Sequence, residues 1–360
     1  MSNNINERIA RKRFAKNNKR KRKCFNVNKS CVRLMKNKCI IRAPKVLDIY
    51  NHINYEETLR FINSFEKIDK QKIIISFTSC EEVKAAALVL LYAKLETILK
   101  SKSDVLISFL YGANFFIKKI INHSGIEFLC SQKYSENNFN TESNHLAIIS
   151  GVGGQYRDDI IDFIKANIYK NKLSVTQESE YSDAIQEAIN NVGFHAYPNQ
   201  EPQNRFWWLR CSLIKDELYL ILYDQGAGIP NTFSKGNKIF DEIDWDDPET
   251  LSILAELRDK WSLDKSISVD EIHNNQTKNS QLIGLAMTDD ITRVSGKDES
   301  KHGQGSKSIK KLVSNNENGM LWIFSNNGLF RFTSEEDMPM LDDFNSSING
   351  TLIQWNIKVI

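Results

Sequence analysis

"ELYLILYDQGAGIP" runs from Glu217 to Pro230 and joins an apolar, alternating segment to a glycine-bearing turn. With the preceding "RFWWLRCSLI" and a short Lys-Asp-Glu turn, it reads as two strands of a hairpin. The second strand empties directly into Asp224, Gly226 and Gly228, a D-x-G-x-G pattern. Glycine at both positions lets the backbone come within contact of a flat ligand, and a carboxylate at a strand end can accept the exocyclic amine of adenine. A tight turn accounts for the same residues, so this segment alone leaves both readings open.

Upstream, "ESEYSDAIQEAINNVGFHAY" reads as a helix with Ile185, Ala188, Ile189, Val192 and Ala196 at the spacing of a buried stripe. Glu187, Asn191 and His195 follow at intervals of four, which drift by only about 40° per step on a helix and so share a face bordering the core. A solvated helix edge and a polar site both fit that row. Downstream, "SKHGQGSKSIKKLV" carries Gly303, Gly305, Ser306 and Lys307 into a helix with Ile309, Leu312 and Val313. Such a turn presents free backbone N–H groups where phosphate oxygens are favoured, and Lys307 adds a charge; a simply capped helix is the other reading. "LWIFSNNGLFRFT" and "NGTLIQWNI" read as strands, the last opened by Gly350 and Thr351.

The order of these four segments resembles the four boxes of the GHKL ATPases, the superfamily of gyrase, the large heat-shock chaperone, histidine kinases and MutL. The likeness covers roughly residues 146–360 and implies a Bergerat-type domain binding ATP with Mg²⁺, its mixed sheet covered by helices, with a long lid over about 230–302. By that resemblance Glu187 orients the attacking water as general base and Asn191 ligates Mg²⁺. Asp224 reads adenine with help from Thr351, Gly226 and Gly228 shape the floor, and Gly303, Gly305, Ser306 and Lys307 form the phosphate lid. Ser306 and Lys307 depart from the family pattern, standing where an apolar residue or another glycine is frequent.

Glu187, Asn191, His195 and Tyr197 are most similar to the corresponding box of anti-sigma-factor serine kinases. The superfamily resemblance implies a Mg-dependent ATP-binding protein, expected as a slow ATPase acting as a nucleotide-gated switch on a nucleic-acid or protein partner; the likeness of this box implies the alternative, a protein serine/threonine kinase. A histidine kinase fits less well, because His52, His123 and His145 lack the neighbouring acid and the following Asn/Thr-Pro of a phosphoacceptor helix.

Ahead of this region, residues 44–135 alternate strand and helix: "KIIISFTSC", "EEVKAAALVLLYAKLETILK", "DVLISFL", "GANFFIKKIINHSG" and "IEFLC", the last expected as a third strand. The fold class expected is α/β throughout. This smaller unit weakly resembles STAS-type domains, with Ser76, Thr78 and Ser79 in the turn where those domains carry hydroxyls; capping of the next helix explains them better. Residues 136–145, within the polar stretch from Ser131 to His145, are expected as the linker.

At 360 residues and 41% hydrophobic, the chain can bury two cores. No apolar run approaches the ~18–20 residues that span a bilayer, so no membrane contact and a cytoplasmic location are expected. Six scattered cysteines without a C-x-x-C pair indicate neither a disulfide framework nor a zinc ribbon. The net charge of +3 conceals a polarity: residues 1–45 hold 16 Lys or Arg against Glu7 alone, leaving the body acidic. Residues 1–43 are expected as a flexible basic arm, with 8–45 contacting nucleic acid or another polyanion through its backbone charge rather than its bases. A dimer is compatible with all of this. An acidic run from Asp241 to Glu249 precedes a helix that Asp247 caps and Pro248 opens, and it could hold the arm.

Overall fold

A computed structural model describes residues 31–359, apart from 36, 68–70, 103, 132–140, 143, 234–239, 242, 289–304 and 337. It is a mixed α/β structure with sheets of four, eight and two strands. The first unit contains β1 (Val32–Leu34), β2 (Cys39–Arg42), β3 (Val46–Leu47), α1 (His52–Asn63), β4 (Lys72–Phe77), β5 (Glu82–Val83), α2 (Ala85–Ser101), β6 (Leu106–Tyr111), α3 (Phe115–His123) and α4 (Ile126–Cys130). Its main sheet is ordered β1-β2-β4-β6, antiparallel at β1/β2 and parallel elsewhere; β3 and β5 pair separately.

Three expectations need correction here. Residues 32–42, assigned to the basic arm, form β1 and β2: the charges of Arg33, Lys38 and Arg42 hide a short apolar alternation that buries Cys39 and Ile41. "IEFLC" is helical, not a strand; Ile126, Leu129 and Cys130 recur at helical spacing and are buried, a period too short to see in five residues. Ser76, Thr78 and Ser79 do not cap α2, whose cap position is Lys84 without a side-chain bond; instead the Ser76 and Thr78 hydroxyls lie 3.0 Å apart.

The larger unit contains β7 (Thr141–Glu142), β8 (His145–Val152), α5 (Arg157–Phe163), α6 (Val175–Asn191), β9 (Phe206–Ile214), β10 (Glu217–Asp224), α7 (Ile229–Thr232), α8 (Pro248–Lys260), α9 (Val269–His273), α10 (Asn279–Ala286), α11 (Gly305–Ser314), β11 (Met320–Ser325), β12 (Gly328–Thr333), β13 (Met340–Asp343) and β14 (Thr351–Lys358). The sheet order is β13-β12-β11-β14-β10-β9-β8-β7. Every pairing in it is antiparallel, which corrects the expectation of a mixed sheet. The reason is topological: β9 lies between β8 and β10, and β14 between β10 and β11, so strands of like direction never touch. The stretch expected as a linker already contributes β7 and the first residue of β8.

Alternation along β10 sends Leu218, Leu220 and Leu222 to one face and Ile221 and Tyr223 to the other. The first face packs beneath α5, α6 and α11. On the second face Ile221, Tyr223, Phe324 and Leu352 join the core of the first unit, so the two units share one apolar interior. Helix α2 lies between the sheets and is buried continuously from Ala86 to Ala93, as a helix apolar all round must be. Truncating Leu91, fully buried there, to alanine costs about 3 kcal/mol. Helices α8 to α10 close over a further cluster that includes Phe233, Trp245, Leu254, Trp261 and Leu285. Asp247 caps α8 by accepting from Thr250 N at 3.0 Å, with Pro248 first in the helix, as the sequence indicates.

Candidate functional site

A cavity of about 540 Å³ opens where α6, the end of β10 and the start of α11 converge. Helix α6 starts on a capping box, Gln177 N donating to Ser174 Oγ at 3.2 Å and Ser174 N to Gln177 Oε1 at 3.1 Å. Ile185, Ala188 and Ile189 bury one side of it, which turns the border residues Glu187 and Asn191 into the cavity. After Asn191 the helix widens into a π-helical turn, Val192–Ala196, and His195 still reaches the cavity wall. Leu222, Ile323 and Ile353 give an apolar floor suited to a flat ring.

Asp224 closes the inner end of this floor and is only 4 % exposed. Burial pushes its carboxyl up to about 7, opposed by backbone N–H donors from Gly226, at 2.7 Å, and Thr351. The turn that follows is fixed by Ala227 N donating to Ala196 O at 2.7 Å, with Gly226 packed directly on Ala196. Gly228 has φ +85°, a conformation that strains any other residue, and a Cβ there would also overlap the Asn326 amide. Thr351 lines the cavity, its hydroxyl 2.8 Å from Ser325 Oγ, which also accepts from Ile229 N at 2.8 Å. Ser325 was missed in the sequence; the signal was a lone hydroxyl closing an apolar strand.

Burial raises the pKa of Glu187 as well, while a hydrogen bond from the Asn191 side chain lowers it. That bond uses the amide nitrogen of Asn191 and leaves the amide oxygen for another partner. Gly305 sits flat against the Glu187 carboxylate, where any Cβ would overlap it, so the start of α11 comes directly onto the acid. Trp355 Nε1 holds the next turn of that helix down by donating to Ile309 O at 3.0 Å.

Of the residues singled out in the sequence, Glu187, Asn191, Asp224, Gly228, Gly305, Ser306 and Thr351 all line this one cavity. Gly226 stands behind it, and Lys307 is exposed on α11 outside the lining. Gly303 lies outside the described residues, as do residues 1–30 of the basic arm. Among the described residues lining the cavity, His195 is the only basic side chain. An acid and a neutral amide side by side suit a hard cation that keeps most of its ligands as water and phosphate, which is how Mg²⁺ is usually held. Among the described residues no helix is long and apolar enough to cross a membrane. No protein-family model matches the chain, and no curated protein matches it.

Proposed function

We propose that this chain binds ATP with Mg²⁺ in the cavity and hydrolyses it slowly, as a nucleotide-gated switch of the GHKL type. The observation that carries the reading is convergence: four segments spread over some 160 residues of sequence, resembling four boxes in order, meet around one cavity with an apolar floor. In this reading the Asp224 carboxylate accepts the adenine amine at the closed end, and Thr351 and its partner Ser325 supply a hydroxyl beside it. The Asn191 amide oxygen would hold Mg²⁺, which when bound neutralises phosphate charge. Glu187, half buried and raised in pKa, is suited to orient a water and take its proton. The backbone at Gly305 and Ser306 faces the same acid and offers N–H groups to phosphate oxygens.

The partner remains the nucleic acid or protein expected from the basic residues 8–45, most of which lie outside the described residues. Incubation with γ-labelled ATP and candidate partners tests the activity: an ATPase releases labelled phosphate, whereas the alternative, a protein serine/threonine kinase, leaves label on protein. Failure to bind any ATP analogue overturns the reading.

A further inference from the structure

The first α/β unit lies against the rear of the strand that carries Asp224, and two adjacent side chains of α2 reach that strand's surroundings. Glu96 is 1 % exposed. Its carboxylate accepts from Trp208 Nε1 at 2.6 Å and from Ser150 Oγ at 2.8 Å, with Lys100 Nζ 3.4 Å away. Trp208 pairs across the hairpin with Tyr223, their rings 5.9 Å apart, and Tyr223 OH donates to Asn349 O at 2.8 Å. The helix is thereby locked onto β8, β9 and β10 at the level of Asp224.

Thr97, the next residue, reaches further. Its single hydroxyl proton is shared between Ala93 O at 2.8 Å, the usual back-bond of a helical threonine, and Gln225 Oε1 at 3.1 Å. Gln225 stands between Asp224 and Gly226, and its backbone N donates to Tyr197 OH at 2.9 Å. Tyr197 OH donates in turn to Phe206 O at 2.8 Å, fixing the end of the π-helical turn. Gln225 is thus clamped from two sides, its side chain by Thr97 of the first unit and by the Tyr223 hydroxyl of its own strand, its backbone by the cavity wall. Since Asp224 Oδ1 is aimed by Gly226 N, the setting of the 224–226 turn decides where the carboxylate points.

We infer that Thr97 is a positioning residue for the cavity: through Gln225 it sets the turn that aims Asp224, which makes the first unit a support behind the nucleotide site. This rests on the cavity being a nucleotide site. Whatever displaces α2 then changes nucleotide affinity, and by linkage nucleotide binding changes the contacts of α2 to the same extent.

The test is calorimetric titration of the full chain with a non-hydrolysable ATP analogue and Mg²⁺, on the parent, Thr97→Val, Thr97→Ser, Gln225→Leu and the double variant Thr97→Val/Gln225→Leu. One hydrogen bond at an interface rim corresponds to about a threefold to tenfold loss of affinity in Thr97→Val and in Gln225→Leu. Thr97→Ser keeps the hydroxyl and restores parental affinity. Gln225→Leu also removes the hydrogen bond to Tyr223, so the double variant loses no more than Gln225→Leu alone, and Thr97→Val and Thr97→Ser keep the parental melting temperature. Parental affinity in Thr97→Val, equal loss in Thr97→Ser, or additive losses in the double variant overturn the inference while leaving the nucleotide site standing. A parent that binds no analogue overturns both.

Discussion

Two buried carboxylates lie on opposite sides of the same sheet, and they are equipped differently. Glu96, behind it, has two short hydrogen bonds from side chains and a lysine in reach. Asp224, at the cavity, is served by backbone N–H groups and faces open space. A buried acid with its acceptor sites filled by fixed partners is part of the scaffold; one left with spare capacity beside a cavity is a reader of ligands. Glu187 sits with Asp224 in this respect, being desolvated and, among the described residues, hydrogen-bonded by the Asn191 side chain.

The comparison predicts how each acid fails. The largest effect belongs to turnover: Glu187→Ala lowers ATP hydrolysis by about 10²- to 10⁴-fold and leaves analogue affinity near that of the parent, as single-turnover assays beside calorimetry will show. Unchanged hydrolysis removes Glu187 from the chemistry. Next comes stability: Glu96→Ala strands Trp208 Nε1 and Ser150 Oγ in the interior and costs about 3–5 kcal/mol in denaturant unfolding. A loss within 1 kcal/mol (about the worth of one ordinary hydrogen bond) would put Glu96 in the same class as Asp224.

Asp224→Asn acts in the opposite sense. The amide oxygen accepts from the backbone N–H groups of Gly226 and Thr351 that served the carboxylate, which turns the amide NH₂ toward the cavity, donor against donor, so analogue affinity falls by about 30- to 100-fold. The ligand-free variant is nevertheless more stable at pH 8. Because folding raises the Asp224 pKa to about 7, the parent loses stability as pH climbs from its unfolded carboxylate value to about 7. Asparagine escapes that loss, by up to about 4 kcal/mol at pH 8 and by nothing below pH 4. Melting curves at both pH values check this, and a variant less stable at pH 8 contradicts it.

The smallest effect is on the parent itself. Nucleotide affinity rises as pH increases toward about 7, by at most about tenfold per unit, because the ionised carboxylate is the stronger acceptor for the adenine amine. A flat affinity between pH 5.5 and 8 separates Asp224 from base recognition.

Much of the front of the sheet was legible in the sequence. The hairpin alternation, the D-x-G-x-G exit, the Asp247-Pro248 helix start and the border row Glu187 and Asn191 all lie where local pattern puts them, because each depends on near neighbours in the chain. The rear was not legible. That Ile221 and Tyr223 pack on another unit, that Glu96 in an apolar helix meets Trp208, and that Thr97 meets Gln225 depend on contacts more than a hundred residues apart. The widening of the helix at Val192 also left no periodic mark, since five residues cannot distinguish the two spacings. Ser325 carries a weak local signal, but its role comes from Thr351, which reaches it only because β14 inserts between β10 and β11.

The central claim is that Asp224 reads a nucleotide base in this cavity. Calorimetric titration of the full chain with a non-hydrolysable ATP analogue and Mg²⁺, parent beside Asp224→Asn at pH 8, tests it most directly. Saturable one-to-one binding by the parent, weakened at least 30-fold in a variant that melts higher, is the result expected from the loss of a charged acceptor. No binding by the parent, or equal binding by both, contradicts it.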